Sequence, residues 1–386
     1  MSLDPRAVLP EELIERIRSR APGCDERNEF FREDFDELVG AGYLKAFVPE
    51  GAGGLGASLA DVVRLQRRLA AAAPATALGI NMHLVWTGVA RVFRERGDAG
   101  IDFVLEETAA GEVFSFGISE AGNDSVLFDS VTVAEPQPDG GVRYSGTKVF
   151  TSLAPVWTRM GTFGKDSTGP EPQLVYGFIR RDQPGWRHLD DWDTLGMRAT
   201  QSCTTILEGA CAPADRIVRR LPVGPNADLL VFGIFAVFET LLAAVYTGLA
   251  ERALALGVEA AQRRTSLRNG GRRYAQDPDI RWQLADAAMA LDGVLPHLER
   301  IADDVDRRAE RGAGWFPALS GLKHRATETA RSVVDIAMRV GGGGGYFRAH
   351  ELQRLYRDVL AGLYHPSDPE SAHATVANAL LGPLEG

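Results

Sequence analysis

From Leu229 to Ala250 the chain reads LLVFGIFAVFETLLAAVYTGLA, and Glu239 is the only charged residue in that stretch. A lone carboxylate in so apolar a setting is costly, because low polarity disfavours its charged form and raises its pKa unless a partner compensates. Three readings follow. Glu239 is a proton-transfer group tuned by burial, or it hydrogen-bonds across a helix bundle, or the stretch crosses a membrane, for which roughly 20 apolar residues suffice. Working outward, acidic and basic residues resume at helical spacing directly after it, and no second long apolar stretch exists. A buried bundle helix therefore fits better than a membrane span.

The 386 residues are too many for one hydrophobic core, so two or three domains are expected. The net charge of −10 argues against non-specific nucleic-acid binding. MSLDPRAVLPEEL has no basic region followed by an apolar core, so no secretory signal is read there. Cys24, Cys203 and Cys211 are too few and scattered for a disulfide framework or a zinc site, which suits a reducing cytoplasm.

Periodicity divides the chain into three zones. Residues 1–113 carry helical spacing, as in EELIERIRSR, interrupted by the glycine-rich VPEGAGGLGAS (Val48–Ser58). Across 114–225 the period shortens towards two: Asp139-Gly140 signals a hairpin, and Gln173–Ile179 and Cys203–Ala210 read as strands. In 226–386 the helical period returns over Asp228–Arg264, Pro278–Glu310, Phe316–Val340, Phe347–Ala361 and Glu370–Leu381. The motifs of serine hydrolases, zinc peptidases, P-loop enzymes and dinucleotide folds are all missing, and the seven histidines are dispersed. The glycine run at Gly341–Gly345 reads as a connector or as backbone that approaches a phosphate.

Five segments together resemble the acyl-CoA dehydrogenase superfamily: GYLKAFVPEGAGGLGAS, GISEAGND (Gly117–Asp124), YSGTKVFTS (Tyr144–Ser152), DTLGMRATQS (Asp193–Ser202) and GGGGYFRAHELQRLYRD (Gly342–Asp358). The resemblance implies an α+β multidomain fold with an N-terminal helical domain, a central β-barrel-like domain and a C-terminal four-helix bundle. It also implies bound FAD and a homo-oligomer, tetramer or dimer. Matched by position, Phe116, Gly117, Ile118 and Ser119, with Phe150, Thr151 and Ser152, would hold the flavin ring. Arg264 would meet the FAD pyrophosphate of a neighbouring subunit. Arg339, Gly342 and Gly343 would receive the adenosine end.

The departures bear on activity. A gap-free count from Asp358 to the family's usual catalytic glutamate reaches Pro366, with His365, Asp368 and Glu370 near it but out of register. A minority of the family keeps its glutamate on the first bundle helix instead. The matching position is Phe238, one residue before Glu239. One residue turns a helical side chain by about 100°, so a local bulge would be needed to restore the match. With Glu239 as base, the expected reaction is dehydrogenation of an acyl thioester on CoA or an acyl-carrier protein, with the flavin reoxidised by an electron-transfer flavoprotein or another external acceptor. The alternatives are a flavin monooxygenase or oxidase of the same fold, or a flavin-binding member without turnover.

Overall fold

A computed structural model describes residues 3–384; Met1, Ser2, Glu385 and Gly386 lie outside the described residues. Six helices come first: α1 (Pro5–Val8), α2 (Glu11–Arg27), α3 (Arg32–Gly40), α4 (Leu59–Ala70), α5 (Pro74–Glu95) and α6 (Asp102–Ala109). Eight strands follow: β1 (Phe114–Gly117), β2 (Val133–Pro136), β3 (Val142–Lys148), β4 (Arg159–Asp166), β5 (Gln173–Arg180), β6 (Trp186–His188), β7 (Thr205–Ala212) and β8 (Ile217–Pro222). The long helix α7 (Leu229–Arg263) opens the last region. A short hairpin, β9 (Thr265–Ser266) and β10 (Arg272–Arg273), leads from it to α8 (Pro278–Asp306), α9 (Trp315–Gly341), α10 (Glu351–Val359) and α11 (Pro369–Leu381).

The apolar stretch read first is the core of α7. It packs against α4, α5, α8 and α9, and Leu241 through Ala250 are all buried. By length and composition α7 could cross a membrane, yet most of it is enclosed by the other helices. Its approach to α4 explains Gly248: a Cβ there would lie 2.2 Å from the Arg67 carbonyl oxygen. Asp228 caps the start of α7 by accepting from the Leu230 amide at 2.7 Å.

The strands form one mixed sheet in the order β6-β7-β3-β2-β4-β5-β8, with β1 added parallel to β4. The Asp139-Gly140 hairpin joins β2 to β3, with Gly140 at φ 87° where a side chain would be strained. The sheet meets the helices through α5. Trp86 donates to the Ser115 carbonyl at 2.9 Å, and its ring lies so close to Gly161 that no Cβ fits there. His83 bridges the same junction, its Nδ1 accepting from the Phe114 amide while Nε2 meets the Leu44 carbonyl.

One strand was not read from the sequence, and one helix boundary shifts. Strand β4 has no alternation to mark it, because six of its eight residues are buried. Helix α10 starts at Glu351 rather than Phe347, because His350 is extended and caps it by accepting from the Leu352 amide.

Candidate functional site

Where the end of β1, the end of β3 and the bundle meet, a cavity of about 320 Å³ opens. Phe116 and Ser119 reach it from β1 and the turn after it, and Phe150 and Ser152 from the turn after β3. The two turns are tied together by the Val149 amide, which donates to the Ser119 carbonyl at 2.9 Å. Trp192, Met197, Thr200 and Ser202 close one wall, while Phe238 of α7 and Tyr364, His365 and Pro366 close another.

The walls are apolar, with a line of hydroxyls on one side. Ser152 Oγ lies 2.7 Å from Ser202 Oγ, which lies 2.8 Å from Thr200 Oγ1. Phe150 sits at φ 58°, an unfavourable conformation for a bulky residue, and the residue is 54% exposed. Thr151 Oγ1 is buried without a hydrogen-bond partner. A flat, largely apolar slot with a presented aromatic ring, the Ser152 hydroxyl and one orphaned polar atom fits an isoalloxazine ring.

No carboxylate lines this cavity among the described residues. Arg357 at its edge is tied to Asp25, and its Nη1 also donates to the Leu195 carbonyl at 2.8 Å. Helix α7 runs unbroken from Leu229 to Arg263, with no bulge to shift the register. Phe238 therefore faces the cavity and stacks on Phe116, with ring centroids 5.5 Å apart. Glu239 points to the adjoining side, where it lines a separate void of about 20 Å³ with Phe116, Ser119, Phe235 and Pro366.

The loop after α10 is held from behind. Lys323 of α9 is fully buried and donates to the carbonyls of Gly362, His365 and Ser367 at 2.9, 3.1 and 3.0 Å. Ser367 Oγ donates to Glu239 Oε1 at 2.6 Å, while Oε2 has no partner. Burial pushes the Glu239 carboxyl up to about 8, against the pull of Lys323 and Ser367. His365 Nε2 meets the Tyr246 hydroxyl at 2.8 Å; burial, with the Lys323 charge adding to it, takes its pKa down to about 3. At neutral pH the imidazole is uncharged.

The residues matched to the far end of FAD form a second group, none of it lining the cavity. Arg264 Nη1 donates to the Val340 carbonyl at 2.8 Å, and its guanidinium lies 4.5 Å over the Tyr274 ring. Gly342, at φ 63°, leaves no room for a Cβ beside that guanidinium. Gly343 follows it in the turn after α9, and Arg339 pairs on the surface with Asp335. Ile118 is buried beside the small void, and Gly117 is required because a Cβ would meet Met160 Sδ at 2.7 Å. Sequence reasoning missed Lys323, Ser367, Ser202 and Trp192. Lys323 and Ser367 carry no local signal, since their roles depend on contacts dozens of residues away; Ser202 ends one of the quoted segments.

Comparison with known proteins places this geometry. Residues 6–94 match the family model "Acyl-CoA dehydrogenase, N-terminal domain", and residues 240–367 match "Acyl-CoA dehydrogenase, C-terminal domain". The amino sugar nitrososynthase DnmZ of Streptomyces peucetius is 30% identical over 341 residues, covering 86% of this chain and 82% of that protein. The structure of KijD3 in complex with FMN and dTDP-3-amino-2,3,6-trideoxy-4-keto-3-methyl-D-glucose is 28% identical, with a TM-score of 0.83 over 99% of this chain and 94% of that one. Butyryl-CoA dehydrogenase from Megasphaera elsdenii shares the fold, with a TM-score of 0.84 at 19% identity over 99% of this chain and 100% of that one. The chain therefore belongs to the acyl-CoA dehydrogenase superfamily.

Proposed function

We propose that the protein is a flavin-dependent oxygenase that oxidises a nitrogen atom of an amino sugar carried on a nucleotide. The observation that carries this reading is the cavity without a carboxylate. Dehydrogenating an acyl thioester requires a base at the α-carbon. Oxidising an amine does not, because nitrogen brings its own lone pair. An apolar cavity with no carboxylate in its lining favours the neutral amine over the ammonium ion, which keeps that lone pair free. The neutral His365 and the hydroxyls of Thr200 and Ser202 give the substrate hydrogen bonds without adding charge. Reduced flavin supplies two electrons and two protons, so that one atom of dioxygen joins nitrogen and the other leaves as water. The similarity to nitrososynthases supports this over thioester chemistry. On this reading an electron-transfer flavoprotein has no role. Arg264 would then meet the FAD pyrophosphate of a second copy of the chain, and Arg339, Gly342 and Gly343 would receive the adenosine end; if the cofactor is FMN, that cluster is unused.

A second reading rests on Glu239. Its unpartnered Oε2 and the small void beside Phe116 and Ser119 support a buried base for an acyl thioester. Aerobic turnover separates the two. With reduced flavin supplied by a reductase, amino-sugar nucleotides should drive oxygen uptake and yield a product heavier by one oxygen atom. No product above the background oxidation of free reduced flavin would remove the oxygenase reading.

A further inference from the structure

Four side chains with a proton to donate border the main cavity from the segment between β6 and β7: Trp192, Thr194, Thr200 and Ser202. We propose that this wall meets the substrate with acceptors only, and so selects a molecule that brings its own N–H or O–H. The inference deepens the oxygenase reading and rests on it for the reaction, though not for the binding preference.

A proton count carries it. A carbonyl oxygen only accepts, so the Thr200 hydroxyl donates to the Met197 carbonyl at 2.9 Å. Each hydroxyl has one proton. With that of Thr200 spent, Ser202 is the donor in the 2.8 Å contact between them. Ser152 is then the donor to Ser202 at 2.7 Å. Thr194 gives its proton to the Gly196 carbonyl at 3.0 Å, and Trp192 Nε1 reaches the Met197 carbonyl at 3.4 Å. None of the four keeps a side-chain proton for a ligand, while the hydroxyl oxygens keep lone pairs. A neutral amine or an alcohol gives such a wall a hydrogen and satisfies a buried acceptor. The carbonyl of a thioester sets its own lone pairs against the wall and gains nothing there.

The segment does not hold this arrangement alone. Met197 and Gln201 sit at φ 53° and 44°, where residues with side chains are uncommon. Both are fixed from other parts of the chain. Asp358 of α10 accepts from the Met197 amide at 2.6 Å with Oδ1, and its Oδ2 has no partner. Gln201 Nε2 donates to the carbonyl of Asn28, just after α2, at 2.9 Å, and Asn28 Nδ2 donates to the Trp192 carbonyl at 2.6 Å. Gly196 lies so close to α10 that a Cβ would be 2.2 Å from the Arg357 carbonyl oxygen. Asp358 does not line the cavity. It is a positioning residue, because it holds the residue whose carbonyl sets the direction of the hydroxyl line.

Indole and benzofuran test the inference, because they share a shape and differ by one N–H. In calorimetric titration of the flavin-loaded protein, indole should bind about fivefold more tightly than benzofuran. Thr200→Val keeps the shape but removes the proton that ends on Met197, so Ser202 is free to turn its own towards the ligand. There the preference should fall below about twofold with the flavin band retained, and it should return in Thr200→Ser. Asp358→Asn, which keeps an acceptor for the Met197 amide, should hold the preference, and Asp358→Ala should lose it. Equal binding of the two probes, no binding of either, or a preference undiminished in Thr200→Val overturns the inference. The oxygenase reading fails separately: no oxygen uptake with any amine would remove it while the preference for indole stood.

Discussion

Two lysines are fully buried, one in the sheet and one in the bundle, and the carboxyls near them behave in opposite ways. In the sheet, Lys148 touches Glu120 at 2.7 Å, with both side chains fully buried. Glu120 also accepts from Ser130 Oγ, Asn123 Nδ2 and the amides of Val131 and Thr132. Burial alone would raise that carboxyl, but Lys148 and these donors bring it down to about 2. In the bundle, Lys323 spends its protons on three carbonyls, and Glu239 has one serine. There burial wins, and the carboxyl rises to about 8. Glu239 is the more deeply enclosed of the two carboxyls and has fewer donors, and together these differences decide which buried acid is the anion and which is neutral.

The comparison can be broken most easily at the lysines. Lys148→Met strands a buried anion, and should cost about 3–5 kcal/mol in denaturant unfolding. Lys323→Met removes charge-assisted bonds to carbonyls but faces a neutral Glu239, so a smaller loss of about 2–3 kcal/mol is expected. If Lys323→Met is the more damaging, Glu239 is an anion and the contrast fails. The pH dependence sharpens the point. The raised Glu239 keeps its proton when folded, so its contribution is full below the ordinary value of 4.5 and is lost as pH rises towards 8. The depressed Glu120 contributes above 4.5 and loses it as pH falls towards 2. Glu239→Gln should therefore flatten the decline of the urea midpoint between pH 4.5 and 8, and change stability at pH 5 by less than about 1 kcal/mol. The smallest effect is expected for Ser202→Ala, which interrupts the hydroxyl line. Substrate KM should rise a few-fold with flavin affinity kept, and an unchanged KM would show that the line does not meet the substrate.

Much of the fold was legible because α7 is long, apolar and followed at once by charged helical repeats, a pattern that fits an enclosed helix better than a membrane span. The hairpin at Asp139-Gly140 was legible for its turn chemistry. The site was legible in part. Phe116, Ser119, Phe150 and Ser152 lie together at the cavity as segments near strand ends, whereas the role of Glu239 turned on one residue of helical register. Counting along the sequence gave Phe238 as the matching position, and the unbroken helix keeps it there. Lys323 was not legible at all, because a buried lysine reads in sequence like any solvated one until the loop it holds is folded against it.

The central claim is that no carboxylate serves the cavity, so that the enzyme works on dioxygen and not on an acyl thioester. Anaerobic titration of the flavin-loaded protein with a panel of CoA and carrier-protein thioesters tests it most directly. The account predicts that the yellow flavin band persists with every thioester. Bleaching by any of them that disappears in Glu239→Gln would contradict the account.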